Sequence, residues 1–166
     1  MLSNRVFFVS ILVGITLLSC NSDVIYKGNI TYDSGWHKDS AAVFDVALND
    51  TSLVMDFILT FSHTEDYSFR NLWLFNSVAD AENNILQTDT IELYIASSNG
   101  QWFGRKKGDV YRVSTYYKNN VKMSSQGNYR FTFQQGMRVD NLEDIREVAF
   151  EIIRKESRTK NQESRP

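Results

Sequence analysis

Period-two alternation of apolar and polar residues is the feature that most constrains this chain. Ala42, Phe44, Val46 and Leu48 alternate with Val43, Asp45 and Ala47. Leu53, Met55, Phe57, Leu59 and Phe61 alternate with Val54, Asp56, Ile58, Thr60 and Ser62. Shorter runs of the same kind are Ile91–Ile95, Tyr129–Phe133 and Val148–Ile153. Successive side chains of a strand point to opposite faces, so this period marks strands with one buried face. Further strands are expected near 28–36, 69–76 and 110–123, about eight in all. Turn-forming pieces at Asn49-Asp50, Ala79–Asn84, Ser97–Gly100 and Asn119-Asn120 separate them. No stretch sustains a helical period. The best helical candidate is Asn141–Arg146, with Asn141 as cap and Asp144 in the first turn. The single proline is Pro166, so no strand is interrupted by one. The expected fold is all-β: an antiparallel β-sandwich or jelly roll over residues 27–155.

The N-terminus reads differently. Arg5 precedes an apolar run from Val6 to Leu18, the charged start and short apolar core of a secretory signal peptide. The run is shorter than the roughly 20 apolar residues that a spanning helix needs. It ends Leu17-Leu18-Ser19-Cys20, which resembles the bacterial lipobox: Leu, two small or apolar residues, then Cys. Such a cysteine receives a diacylglyceryl group and becomes the mature N-terminus. Cys20 is the only cysteine in the chain and stands where that motif needs it. The expected organisation is a cleaved signal peptide over 1–19, a lipid-anchored tether over 20–26, the β domain, and a disordered polar tail over 156–166. The Asn21-Ser22-Asp23 that follows lacks an acid directly after the cysteine and lacks an acidic run. This favours the periplasmic face of the outer membrane over inner-membrane retention or surface export.

Composition excludes several functions. A formal net charge of −2 argues against nucleic acid. A lone cysteine excludes a disulfide framework or a cysteine-rich zinc site. His37 and His63 have no partner at metal-ligand spacing and read as surface or loop histidines. No G-x-S-x-G, P-loop or dinucleotide fingerprint occurs. Asp89 with Glu92, or Asp140 with Glu143, could in principle pair for glycoside hydrolysis. In a chain with 20 acidic residues such pairs carry little weight. Asp80, Glu82, Asn83 and Asn84 lack the spacing of a calcium loop and read as a solvated turn. The triplets Asp39-Ser40-Ala41 and Asp89-Thr90-Ile91 resemble a bacterial O-glycosylation signal but are short enough to arise by chance. No enzyme activity, metal or cofactor is expected.

The tryptophans are the remaining signal. Trp73 lies in Leu72-Trp73-Leu74-Phe75 and reads as core. Trp36 and Trp102 adjoin Gly35 and Gly104 and are candidates for partial exposure. The expected binding surface is built around Gly100–Gly104 and Gln134–Arg138. It comprises Trp102, Phe103, Arg105 and Arg138, with Trp36 as a further member; aromatic and arginine side chains are enriched at interaction hot spots.

Several segments together resemble the GldH family of gliding-motility lipoproteins. They are Tyr67–Phe75, Asp89–Leu93, Gly100–Gly104, Tyr129–Phe131, Gln134–Arg138 and Leu142–Ile145 leading into the last strand. With the lipobox, the resemblance spans most of residues 1–155. It implies a lipoprotein needed for gliding over surfaces, acting with other motility lipoproteins and with secretion-machinery proteins, and anchored in the membrane through acylated Cys20. It assigns no catalytic residue. The alternative is a carbohydrate- or peptidoglycan-binding module on the same anchor, which Trp36 and Trp102 exposed on one concave face would favour.

Overall fold

The computed structural model describes residues 23–155; the signal segment, Cys20 and the tail 156–166 lie outside the described residues. Eight long strands are present: β1 (Val24–Thr31), β3 (Ala42–Leu48), β4 (Met55–Thr64), β5 (Asn71–Ala79), β6 (Ile85–Tyr94), β8 (Val110–Val121), β9 (Gly127–Gln135) and β11 (Ile145–Arg154). Three short ones join them: β2 (Trp36–His37), β7 (Arg105–Lys107) and β10 (Asn141–Leu142). Sheet A runs β1-β11-β4-β8-β7, β10 and β2 form the two-stranded sheet B, and sheet C runs β3-β9-β5-β6. All pairings are antiparallel.

Alternation places the core between the two sheets. Along β3, Ala42, Phe44, Val46 and Leu48 are buried while Val43, Asp45 and Ala47 face outward. Phe44, Phe131 and Phe133 of sheet C meet Phe57 and Phe150 of sheet A. The Phe150 ring lies 4.9 Å from Phe131, 5.4 Å from Phe133 and 5.6 Å from Phe44. Off-parallel ring packing of this kind adds to the area that each phenyl removes from water.

Both ends of the domain meet at one pole. Arg154 N donates to Asp23 O (2.6 Å) and Lys155 N to Val54 O (2.8 Å). We call this the terminal pole. Thr64 N donates to Asp144 O (2.9 Å) at the opposite pole. There lie the links 65–70, 95–104 and 136–144.

Several sequence expectations are corrected. β1 begins at Val24, inside the stretch read as a tether. Asn141–Arg146 is not helical. Leu142 pairs with Trp36, Asn141 Nδ2 donates to Ser34 O (2.8 Å), and Asp144 Oδ1 accepts from Thr64 Oγ1 (2.6 Å). A six-residue helix would have had to nucleate against these cross-chain contacts, and nucleation is unfavourable. Asn119-Asn120 is a bulge within β8 instead of a turn. Asn120 takes φ +58°, and its amide donates to the buried Asp56 Oδ1 (2.8 Å).

Candidate interaction surface

Trp36 is fully buried. Its ring stacks on Tyr32 at 5.6 Å, and Nε1 donates to Ser40 O (2.5 Å). The indole N–H has found a partner inside, so Trp36 leaves the binding surface and the expectation of exposure is corrected. Trp102 is half-buried. Its ring meets His63 edge-on at 4.6 Å, with Tyr111 at 6.2 Å and Tyr67 at 6.3 Å. Backbone bridging to Ala96 fixes it there. Gly104 makes this approach feasible: at φ +81° it lies so close to β8 that a Cβ would collide with the Arg112 carbonyl. The glycine serves packing as much as presentation. Phe103 remains exposed, as do Arg105 and Arg138.

His63 is also corrected, from surface to core. Nδ1 lies 2.8 Å from the Thr64 carbonyl, which places its proton on Nδ1. Nε2 is buried without a hydrogen-bond partner. Burial pushes the imidazole pKa down, against a smaller upward pull from the Thr64 carbonyl and Asp144. His37 is exposed, as expected.

Trp73 is the largest departure. Leu72 and Leu74 point inward and are buried, so Trp73 and Phe75 point outward, 38% and 53% exposed. On β6 the neighbouring Tyr94 is 53% exposed. These three rings lie on the outer face of sheet C, toward the opposite pole. The period-two rule that placed Leu72 and Leu74 inside already carried this signal.

The backbone under the rings is held firmly. Gly136 N donates to Trp73 O (2.7 Å), and the Met137 sulfur accepts from Trp73 N (3.2 Å). A Cβ on Gly136 would stand 3.1 Å from the Phe75 ring, so the missing side chain lets that ring lie against the backbone. Phe69, Asn71, Trp73, Gly136, Met137 and Arg138 line a shallow depression of ≈ 370 Å³. A second groove, ≈ 650 Å³, runs beside Phe75 between Thr88, Thr90, Thr132 and Gln134. Arg70 sits over the Tyr94 ring at 5.7 Å. Glu92 accepts from Asn71 Nδ2 (2.6 Å). The surface thus offers aromatic area ringed by fixed hydrogen-bonding groups, the composition of a protein-contact site. Arg138 joins it from the expected set; Trp102 meets it only through Tyr67 and Phe69, whose rings are 5.7 Å apart.

Asp80, Asp89, Glu92 and Asp140 have structural partners. Asp89 and Glu92, three apart on one strand, face opposite sides of the sheet. Asp140 pairs with Lys38 (2.7 Å). Asp80 accepts from the amides of Glu82 and Asn84 and from Asn84 Nδ2, closing the β5–β6 turn. Among the described residues, no group of three or more His, Cys, Asp or Glu is placed to hold a metal ion.

Comparison with known proteins places the chain. The GldH lipoprotein family profile matches residues 24–152. A gliding motility lipoprotein GldH homolog from Christiangramia forsetii is 32% identical over 154 residues, covering 87% of this chain and 93% of that one. The gliding motility lipoprotein GldH of Flavobacterium johnsoniae is 28% identical over 155 residues, covering 89% and 96%. Among solved structures, an arabinose-bound α-L-arabinofuranosidase aligns over 76% of this chain and 19% of its own at 9% identity and a TM-score of 0.36, too distant to carry an argument. The chain belongs to the GldH family of gliding-motility lipoproteins, proteins anchored to a membrane of the cell envelope.

Proposed function

We propose that this protein is a non-catalytic binding or scaffold component of the gliding machinery. Lipidated at Cys20 and held at the periplasmic face of the outer membrane, it docks another envelope protein of the motility or secretion apparatus on the outer face of sheet C. The observation that carries this reading is the exposed row Trp73, Phe75 and Tyr94. Strand alternation would normally fill that face with polar residues, and the part of these rings left open to water is apolar area available to a partner. Arg138 and Phe103 extend the same end of the molecule. Trp36 and Trp102 together on one exposed face would have favoured the glycan-binding alternative; Trp36 is sealed in the core and gives it no such support.

The test is Trp73→Ala combined with Phe75→Ala in the gliding cell. Gliding and co-purification with other motility lipoproteins should be lost while the melting temperature changes little, since surface substitutions usually fall within about 0.5 kcal/mol. Normal gliding, or a large drop in stability, would refute the docking role.

A further inference from the structure

Sheet C ends at β6, and this edge differs from the others. β7, at the edge of sheet A, has three residues, all basic. β1 carries Lys27, Gly28 and a register shift near Val24. β3 has seven residues, and its charged side chain, Asp45, pairs with Arg130 of β9 (2.8 Å). Short length, lysines and bulges are the usual protections of an edge. β6 runs ten residues without lysine, arginine, proline or glycine. Ile85 and Leu86 at one end are 60% and 55% exposed, and Tyr94 at the other end is exposed too.

The direction of the free backbone groups follows from one bond. Ile95 N donates to Arg70 O (2.9 Å), toward β5. Residues at even positions therefore turn their amides and carbonyls away from β5. Thr90 bears this out: its amide donates to the carboxylate of its own neighbour, Asp89 (2.9 Å), and not to a strand. Thr88 and Glu92 thus turn main-chain donors and acceptors outward, and Thr90 adds its carbonyl, with its amide available once it leaves the Asp89 carboxylate, the template for adding a strand.

We propose that the occupant is β6 of a second copy of this chain, added antiparallel about a two-fold axis through Thr90. Thr90 then faces Thr90, Thr88 faces Glu92, and Leu86 of each copy faces Tyr94 of the other. The three narrow pairs exchange about six main-chain hydrogen bonds. Both exposed ends of β6 are covered by one operation, because an isologous joint uses the same patch twice. Two-fold registers centred on Asp89 or Glu92 instead set like charges opposite each other. Asp80 and Glu82, which precede β6 in one copy, come to the side of Arg105 and Lys107, which follow it in the other, so the ends are complementary in charge. The axis stands perpendicular to sheet C. Both copies keep sheet A on the same side, with their terminal poles at opposite ends of the joined sheet. The four strands of each sheet C become one continuous sheet. Trp73 and Phe75 stay uncovered, so the joint and the docking face share only Tyr94, and the Trp73 and Phe75 substitutions leave the joint itself in place.

Cysteine pairing in the lipidated protein, in its own envelope, tests this, with the wild-type chain and its lone Cys20 as baseline. In Thr90→Cys, the two Cα atoms of a narrow pair are about 5.5 Å apart, within the disulfide range. Mild oxidation should give a band of twice the mass containing only this chain. Thr88→Cys alone should not cross-link to itself, whereas Thr88→Cys and Glu92→Cys expressed together should. Adding Leu86→Lys to Thr90→Cys should cut the yield at least about five-fold. In parallel, the detergent-solubilised wild-type lipoprotein should pass from monomer to dimer in sedimentation between about 1 and 100 μM, the range of a small interface. A Thr90→Cys chain that stays uncross-linked or joins a different polypeptide, or a wild-type protein monomeric throughout, would overturn the proposal.

Discussion

Replacing Trp102 by alanine separates a structural cap from a docking residue. The indole closes the sandwich at the opposite pole, against His63 at 4.6 Å and between Tyr67 and Tyr111. Truncating a buried tryptophan to alanine costs about 3–5 kcal/mol. Part of the Trp102 ring faces water, so the low end applies, about 3 kcal/mol. For a domain of this size, each kcal/mol moves the melting temperature by roughly 3–4 °C, which predicts a fall of about 10 °C. Thermal melting followed by circular dichroism reads it directly. Near-ultraviolet dichroism should weaken as well, because the cavity loosens the rings of Tyr67 and Tyr111. Gliding should decline only in proportion to folded protein. A fall below about 3 °C together with lost partner capture would show that Trp102 contributes little to packing and acts at the surface.

Three further outcomes follow from other residues. His63 is held neutral in the core with its pKa pushed down, so the unfolded chain binds a proton more readily. Its contribution is present above the unfolded value of about 6.5 and is lost as pH falls below it; denaturant titrations from pH 7.5 to 5 should show this, and His63→Leu should flatten that part of the profile. Gly104→Ala meets the Arg112 carbonyl from a left-handed backbone and should destabilise by about 2 kcal/mol or more, whereas Gly100→Ala, with open space around it, should cost less; the two melting temperatures decide. Cys20→Ala should remove the protein from the membrane fraction or leave it as precursor, and an unmodified Cys20 in the mature wild-type protein, read by mass spectrometry, would refute the lipid anchor.

The sandwich was legible where one face of a strand is buried and the other is wet. Ala42–Leu48 is such a strand, and its alternation is reproduced residue by residue. β4 was found, but it lies between β11 and β8 and buries Asp56, Thr60 and Ser62 as well as its apolar set, so alternation understated its burial. The first half of β6 gave no signal because an edge strand can be exposed on both faces. β7 is three basic residues and has no apolar pattern to read. At the site, period two sets Trp73 on the outer face, and its apolar neighbours Leu72 and Leu74 mask that signal. The glycine beside Trp36 does not signal exposure, because Trp36 stacks on Tyr32 and its strand pairs with Leu142, more than a hundred residues away. His63 was likewise beyond local reading: its surroundings, Tyr67, Trp102 and Tyr111, assemble only when the sheets close.

The pairing of β1 with β11 at the terminal pole has a mechanical consequence. A pull that enters at Val24 and is resisted at the opposite pole acts along the axis of β1, at right angles to its hydrogen bonds. The ladder from Val24 to Thr31 is then loaded in shear: its bonds share the force and must yield together. A pull across the strand would peel them one by one at far smaller force. If the chain is tethered ahead of β1 and gripped at its far end, the first strand is the element that sets the limit.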